Sequence, residues 1–384
     1  MVAAVRQGMK IRAVARNFHV SRPTVERWVR HAKSKRLDRV DFSDRPRGCH
    51  HAANRTPQRV ETCVLDTRRE LRERSALGEC GAVAIHQELE AQGEVTIPSV
   101  RTIGRILARR GVLDRRRRRR YPPPPAGWYL PDVAQARAEL DTADTIEDLV
   151  IEGGIPVTVL NVTSLWGGLA ESWPEAEISS KIAANRLIGH WQEFGLPGYA
   201  QFDNDTRFQG PHQFPDVIGR VTRLCLGLGV TPVFVPPREM GFQAVIENFN
   251  GRWQRAVWRR FHHRSLEELQ QRSASFILAL RKKNAPRMEL APSRRSFPAP
   301  ARPDPAAPLT GRIIFLRRTT ERGGVHFLGR DFAVDRHWAH RLVRCEVELD
   351  EDLIRFFALR RREPQHQRLL HEVTYHLAHR SSNE

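Results

Sequence analysis

Residues 142–162, with the sequence TADTIEDLVIEGGIPVTVLNV, decide the fold of this chain. Apolar residues dominate on both sides of Gly153-Gly154, a pair that favours the tight turn of a β-hairpin. Valine, isoleucine and threonine, which are typical of strands, are frequent on both sides. The stretch therefore predicts two paired strands, over residues 145–151 and 156–162.

The region from about residue 140 to 285 continues with alternating strands and helices. Short apolar runs predict three further strands, at residues 169–172, 200–203 and 230–235. Longer stretches with helical periodicity predict four helices, at residues 178–194, 217–227, 243–261 and 266–282. This pattern is typical of an α/β domain.

Three carboxylates stand at element ends in this region. Asp144 heads the first predicted strand, Asp203 ends the strand at 200–203, and Glu247 lies early in the helix at 243–261. Phosphodiester transfer commonly uses two divalent metal ions, and Mg²⁺ prefers hard oxygen ligands. The three acids are therefore candidate metal ligands, although each alone is more often a solvated surface residue.

The motifs around these acids resemble those of the retroviral integrase and bacterial insertion-sequence transposase superfamily. The stretch FDNDTRF at 202–208 is similar to the family's D-N-G-x-x-F motif, and AVIENFN at 244–250 is similar to its G-x-x-E-x-x-N motif. The resemblance implies an α/β RNase H-like catalytic core with a mixed five-stranded sheet and helices, over residues 136–287. It also implies that Asp144, Asp203 and Glu247 are catalytic and bind two Mg²⁺ or Mn²⁺ ions.

The chain departs from the family pattern at two positions. Asp205 stands where relatives often have glycine, so Asp205 is an alternative to Asp203 as the metal ligand. Ser164 ends the second predicted strand where relatives often have aspartate, but this position is outside the triad.

The first 35 residues predict a helix-turn-helix DNA-binding domain. Apolar residues recur at helical spacing from Ile11 to Phe18, and Ser21 and Pro23 favour the start of a second helix. Arg22, Thr24 and Arg27 at the start of that helix are candidates for DNA contact. The alternative is a bundle that binds another protein.

Residues 58–113 predict a second helix-turn-helix domain after a polar linker at 36–57. Its last helix presents Arg101 and Arg105 away from the apolar face, and both are candidates for DNA contact. An Arg/Pro-rich linker follows at 114–135. Its basic run is interpreted as a segment that contacts the DNA backbone, against the alternative of a simple spacer. The run consists of Arg115, Arg116, Arg117, Arg118, Arg119 and Arg120. On the helix that carries Glu247, Arg252 and Arg255 are further candidates, against the alternative of a solvated face.

The C-terminal part of the chain contains strand patterns only. A proline-rich linker at 288–309 separates it from the core, and short strands with regular turns predict a small β-barrel at 310–362. Residues 363–384 are interpreted as a C-terminal tail. The barrel is expected to bind DNA or a neighbouring protomer.

Composition limits the classes of function. Lysine and arginine number 63 against 44 acidic residues, a formal net charge of +19, which indicates a polyanionic partner. No apolar run is long enough for a membrane span, and the N-terminus lacks the apolar stretch of a signal peptide. The five cysteines are scattered and form no C-x-x-C pair, and Cys49-His50-His51 lacks further ligands at a known spacing. A bacterial cytoplasmic, nucleoid-associated location is expected.

The sequence therefore predicts a transposase or integrase that binds transposon-end DNA, cleaves it and joins it to target DNA. Double-stranded DNA is the expected partner, and the resemblance implies a homo-oligomer on DNA without a membrane partner. Two rival interpretations remain. One is a catalytically silent, domesticated DNA-binding protein or repressor, and the other is an RNase H-like nuclease that cleaves without joining.

Overall fold

The structure, a computed structural model, describes six segments of the chain and divides it into two compact units, Met1–Gln58 and Arg59–Glu384. The described segments are residues 1–43, 56–94, 96–113, 125–211, 214–298 and 309–377. The arginine run at 115–120 and Cys49-His50-His51 lie outside them. None of the described helices is both long and apolar enough to cross a membrane.

The first unit is a small helical domain. Its helices are α1 (Val2–Arg6), α2 (Ile11–Asn17) and α3 (Arg22–Ala32). Val14, Ala15 and Val25 form its core, while Phe18, although on the predicted apolar face, is half exposed. His19 adopts a left-handed φ of 49° in the turn between α2 and α3. The predicted N-terminal helix-turn-helix is confirmed.

The second unit begins with three helices around a separate apolar core. They are α4 (Gln58–Arg74), α5 (Ala82–Ala91) and α6 (Val100–Arg109). Val64, Ile85 and Ile103 are fully buried between them. Glu61 on α4 is buried as well, and it forms ion pairs with the guanidinium groups of Arg109 and Arg110 at the end of α6. This buried carboxylate fixes α6 to α4.

The rest of the second unit is an α/β structure. Its helices are α7 (Pro131–Ala134), α8 (Ser180–Phe194), α9 (Thr206–Gln209), α10 (Arg220–Gly227), α11 (Ala244–Trp253), which continues as a π-helical turn at Gln254–Trp258, and α12 (Leu266–Glu289). Its strands are β1 (Leu140–Ile151), β2 (Ile155–Ser164), β3 (Ala170–Glu175), β4 (Tyr199–Phe202), β5 (Thr231–Phe234), β6 (Arg312–Arg318), β7 (Gly324–Phe327), β8 (Arg330–Ala333), β9 (Leu342–Glu348), β10 (Leu353–Leu359) and β11 (Leu369–Thr374).

The predicted five strands are present, but they belong to a larger sheet. The order β3-β2-β1-β4-β5 continues through β6, β9, β10 and β11 to give nine strands, while β7 and β8 pair separately. Strands β1, β2 and β3 are antiparallel, and β1, β4, β5 and β6 are parallel to one another. The β1–β2 turn contains Gly153 and Gly154, both at the positive φ that glycine adopts easily.

The prediction of a separate small β-barrel at 310–362 is not confirmed. Strand β6 pairs with β5 through Val233 and Phe234, and the rings of Phe234 and Phe315 stack with their centroids 5.2 Å apart. Strand β11 lies in the segment that we interpreted as a tail. In a five-stranded core, β5 would be an edge strand with unpaired backbone N–H and C=O groups. Strand β6 provides hydrogen-bond partners for these groups.

Strand β1 begins earlier than the sequence predicts, because polar residues at its start are buried. Asp141 is 2% exposed and accepts a hydrogen bond from Trp191 Nε1 at 3.1 Å. It also forms an ion pair with Arg294, which follows α12. Burial alone would raise the pKa of Asp141, but the charges and hydrogen bonds of Arg294 and His190 together outweigh burial and lower that pKa to about 2.

Asp141→Asn is expected to lower the free energy of unfolding at pH 7 by about 3 kcal/mol, because Arg294 would stay buried without its partner. The folded-state pKa lies below the ordinary value, so this stabilisation is complete above about pH 4 and is lost as the pH falls toward 2. Urea titrations at pH 7 and pH 3 should therefore show a smaller difference from the wild type at pH 3. The exposed pair of Asp66 with Arg69 supplies the control, since Asp66→Asn should cost less than about 1 kcal/mol. Equal losses in the two variants would contradict this expectation.

Candidate active site

The first two acids of the triad lie side by side because of the strand register. In the parallel pairing of β1 with β4, Thr142 is opposite Gln201, an offset of 59 residues. The same offset separates Asp144 from Asp203, which directly follows β4. Neighbouring strands are about 4.8 Å apart, so the two carboxylates leave the sheet at adjacent positions.

Two hydrogen bonds hold the Asp144 carboxylate. Its Oδ1 accepts from the backbone N–H of Thr145 at 2.9 Å, and its Oδ2 accepts from Asn250 Nδ2 at 2.8 Å. Asn250 in turn accepts from Asn161 Nδ2 at 2.8 Å, and Asn161 is the partner of Asp144 across the β1–β2 pair. The structure thus adds Asn161 and Asn250 to the site. Asn250 is part of the E-x-x-N stretch, but its role as a donor to Asp144 was not predicted.

The surroundings of Asp203 and Asp205 differ. Asp203 Oδ1 accepts only a backbone hydrogen bond among the contacts described here, from Asp205 N–H at 3.1 Å. Asp205 is the N-cap of α9 and accepts from the backbone N–H and Nε of Arg207, both at 2.8 Å. Arg207 also pairs with Glu147 of β1 at 2.5 Å. Asp205 is therefore engaged in capping and in an ion pair, which favours Asp203 over Asp205 as a metal ligand.

Glu247 stands on α11, which packs on the opposite side of β1 and β2 from α8. Ile246, Phe249 and Trp253 form the buried face of α11, within the cluster that includes Val157 and Val159 of β2. Glu247 is exposed and lies one turn before Asn250, so the two side chains share a helix face. The contact of Asn250 with Asp144 thereby brings the Glu247 turn close to Asp144, which lies within β1.

The electrostatics of the site show that the charges of Asp203 and Glu247 act on Asp144. Burial, the charge of Asp203 and, to a smaller extent, the charge of Glu247 raise the pKa of Asp144 to about 7. Burial and the charge of Asp205 also raise the pKa of Asp203, against the opposing hydrogen bond from the Asp205 N–H. Carboxylates that repel one another in a partly desolvated place are favourable ligands for a divalent cation.

The donor chemistry fits hard divalent ions, since the triad supplies only carboxylate oxygens. Over the described segments, however, no three His, Cys, Asp or Glu side chains stand close enough together to hold a metal ion. The structure therefore brings the triad into one neighbourhood without closing a ligand shell.

The basic residues predicted to contact DNA have different local partners. On α3, Arg22 pairs with Glu26 at 2.7 Å, Thr24 contacts the Ser21 hydroxyl at 2.8 Å, and Arg27 is exposed with its guanidinium carbon 5.4 Å from the Trp28 ring centre. Arg101 and Arg105 are exposed on α6. The DNA contacts of all five residues stay predictions.

The two arginines that follow Glu247 differ from each other. Arg255 is exposed, whereas Arg252 is half buried and lies 3.5 Å from Glu79. Glu79, in the segment between α4 and α5, also pairs with Lys283 of α12 at 2.5 Å. The structure thus gives Arg252 a partner within the second unit, and Arg255 is the more accessible of the two.

The comparison with protein-family models agrees with the helix-turn-helix of the first unit. Residues 1–40 match the family model of a homeodomain-like domain. No curated protein matches the chain. Among solved structures, the catalytic core domain of BIV integrase in crystal form I is 19% identical over 37% of this chain and 80% of that chain, with a TM-score of 0.26. The homeodomain-like match covers the whole helix-turn-helix.

Proposed function

We propose that this chain is a transposase or integrase that binds DNA ends, cleaves them and joins them to target DNA. One observation carries this proposal above the others. The β1–β4 register sets Asp144 beside Asp203, and Asn250 ties the turn that bears Glu247 to Asp144. Three acids from distant parts of the chain thus lie in one neighbourhood of the mixed sheet. The homeodomain-like unit supports a DNA substrate.

Asp144, Asp203 and Glu247 would hold two Mg²⁺ or Mn²⁺ ions. Bound ions of this kind activate an attacking oxygen and stabilise the leaving oxygen of a phosphodiester. The chain itself orients the ligands: Asn250 and the Thr145 N–H fix the Asp144 carboxylate, and the Asp205 N–H fixes that of Asp203. The site contains no nucleophilic side chain in this proposal, so water and a DNA 3′ hydroxyl would be the successive nucleophiles.

The helix-turn-helix of the first unit would recognise the ends of the mobile element through α3. The basic residues of the second unit, together with the arginine run at 115–120, would contact the phosphate backbone. Pairing of two DNA ends requires more than one protomer, so we propose a homo-oligomer on DNA.

A strand-transfer assay tests the function. The full-length protein is incubated with Mg²⁺ or Mn²⁺, a linear duplex that carries the DNA flanking its gene, and a supercoiled plasmid. We expect the wild type to nick the duplex and join it to the plasmid, and Asp144→Asn to do neither. Asp148→Asn is the matched control, since Asp148 is an exposed acid on the same strand.

The other outcomes distinguish the rival functions. A wild type that binds the duplex but is as inert as Asp144→Asn is a silent DNA-binding protein. A wild type that nicks without joining is a nuclease.

Arg27→Ala is expected to weaken binding to the specific end duplex about tenfold, because each contact of this kind contributes roughly 1–3 kcal/mol. Arg27 is exposed on the helix that would enter the major groove. Fluorescence anisotropy with the end duplex and with a scrambled duplex measures the change. Arg36→Ala serves as the control, since Arg36 lies beyond α3 and pairs with Asp38. Equal affinities of Arg27→Ala and wild type for the end duplex would remove Arg27 from the proposed interface.

A further inference from the structure

Arg317 on β6 is a buried cation in an unusual setting. The residue is 7% exposed, and burial lowers the pKa of its guanidinium to about 10, so it remains charged at neutral pH. Within the described part of the chain it forms no salt bridge, whereas its neighbour Arg318 pairs with Glu239. A buried charge without an opposite charge is costly unless its hydrogen bonds are well satisfied.

Neutral oxygen atoms satisfy this guanidinium. Nη1 donates to the carbonyl oxygens of Leu316 at 2.9 Å and Val235 at 3.3 Å, and Nε donates to that of His326 at 3.2 Å. Nη2 donates to Asn204 Oδ1 at 2.8 Å. The face of Phe315 lies on the same side of the strand, with its ring centre 5.1 Å from the guanidinium carbon.

Two of these contacts, with Asn204 and Val235, connect Arg317 to the candidate active site. Asn204 directly follows Asp203, and its Nδ2 donates to the Val235 carbonyl at 2.7 Å. Arg317 donates to both partners of that bond, so Arg317, Asn204 and Val235 form a closed set of hydrogen bonds. This set joins the residue after Asp203 to the end of β5. The five donors of an arginine allow it to bind three chain segments at once.

We propose that Arg317 is a positioning residue that fixes Asp203 through the Asn204 side chain. The inference rests on the proposed function for its catalytic meaning, because Asp203 is a metal ligand only in that proposal. The structural part of the inference does not depend on that function. It states that β6, which lies outside the segment that carries the triad, holds the loop after β4 in place. Supporting groups of this kind commonly change metal affinity by about 10–100-fold when they are removed.

The test compares Arg317→Met with Arg312→Met in the full-length protein. Methionine keeps an unbranched apolar side chain at position 317 but removes every donor. Arg312 lies at the other end of the same strand and pairs with Glu348 at 2.6 Å, so it is a matched control. Hydrogen exchange followed by mass spectrometry, without metal, reports the protection of residues 203–210 and of β1 and β2.

We expect exchange in residues 203–210 to be about tenfold faster in Arg317→Met than in wild type, with β1 and β2 unchanged. Mn²⁺ binding, measured by the electron paramagnetic resonance of the free ion, should be about tenfold weaker in Arg317→Met and unchanged in Arg312→Met. A merely structural role would instead speed exchange across β5 and β6 alike and would not select residues 203–210.

Unchanged protection of residues 203–210 in Arg317→Met would overturn the inference. If Arg317→Met does not fold, Asn204→Ala removes the same contact from the other side and should give the same local change. A wild type that binds no Mn²⁺ would contradict the proposed metal centre. The exchange measurement would still decide whether Arg317 positions the loop after β4.

Discussion

Asp203→Asn is expected to abolish DNA cleavage and joining, with a rate loss of at least about a thousandfold, or about 4 kcal/mol of transition-state stabilisation. Asp205→Asn is expected to keep most of the activity. Asp205 acts as the N-cap of α9, and asparagine caps helices about as well as aspartate. Arg207 would retain its ion pair with Glu147.

Single-turnover assays with saturating duplex and Mg²⁺ measure both variants, and anisotropy confirms that each still binds DNA. Thermal unfolding provides the control for folding, since neither substitution removes a buried apolar group. Loss of activity in Asp205→Asn together with an active Asp203→Asn would exchange the roles of the two residues.

Ending the chain at residue 298 is expected to leave the second unit unfolded. The truncation removes β6, β9, β10 and β11, and it uncovers Phe234, whose ring stacks on Phe315. Buried valine, isoleucine and phenylalanine side chains from these strands contribute roughly 1.5–3 kcal/mol each. The residues of these strands in the same core cluster are Ile313, Phe315, Val343, Cys345, Val347, Ile354, Phe356 and Ala358. Their combined contribution is of the same order as the 5–15 kcal/mol by which a typical domain is stable.

Circular dichroism, solubility and limited proteolysis of the truncated chain check this expectation. A chain that ends at residue 377 is the control, because it keeps every strand of the sheet. A soluble truncated chain with cooperative unfolding would show that residues 59–298 fold alone, as a separate C-terminal barrel would have allowed.

The sequence predicted a separate barrel, whereas the structure contains one nine-stranded sheet, and this difference shows which features a sequence can reveal. Apolar periodicity located the core strands to within a few residues, because alternation and length are local properties. It did not reveal that β6 pairs with β5, since pairing depends on residues about 80 positions apart. The proline-rich segment at 291–308 suggested a domain boundary, whereas the strands on its two sides share one sheet.

Local composition misled the interpretation at the start of β1 for a related reason. Asp141 and Thr142 are polar, so the strand was predicted to begin at residue 145. In the structure, both are buried. Arg294 and Trp191 are the partners of Asp141, and Gln201 Nε2 lies 3.5 Å from Thr142 Oγ1. The roles of Asn250 and Arg317 could not be predicted for the same reason. The function of a buried polar side chain depends on partners that only the tertiary structure brings close to it.

Because β6 pairs with β5, the central sheet can be completed only late in synthesis of the chain. A ribosome makes Asp144, Asp203 and Glu247 well before Arg312, the first residue of β6. At about 5–20 residues per second, several seconds pass between the last acid and the strand that covers the β5 edge. During that interval the residues of β5 lack their β6 partner, and a product that terminates early leaves their backbone groups free to pair with other chains.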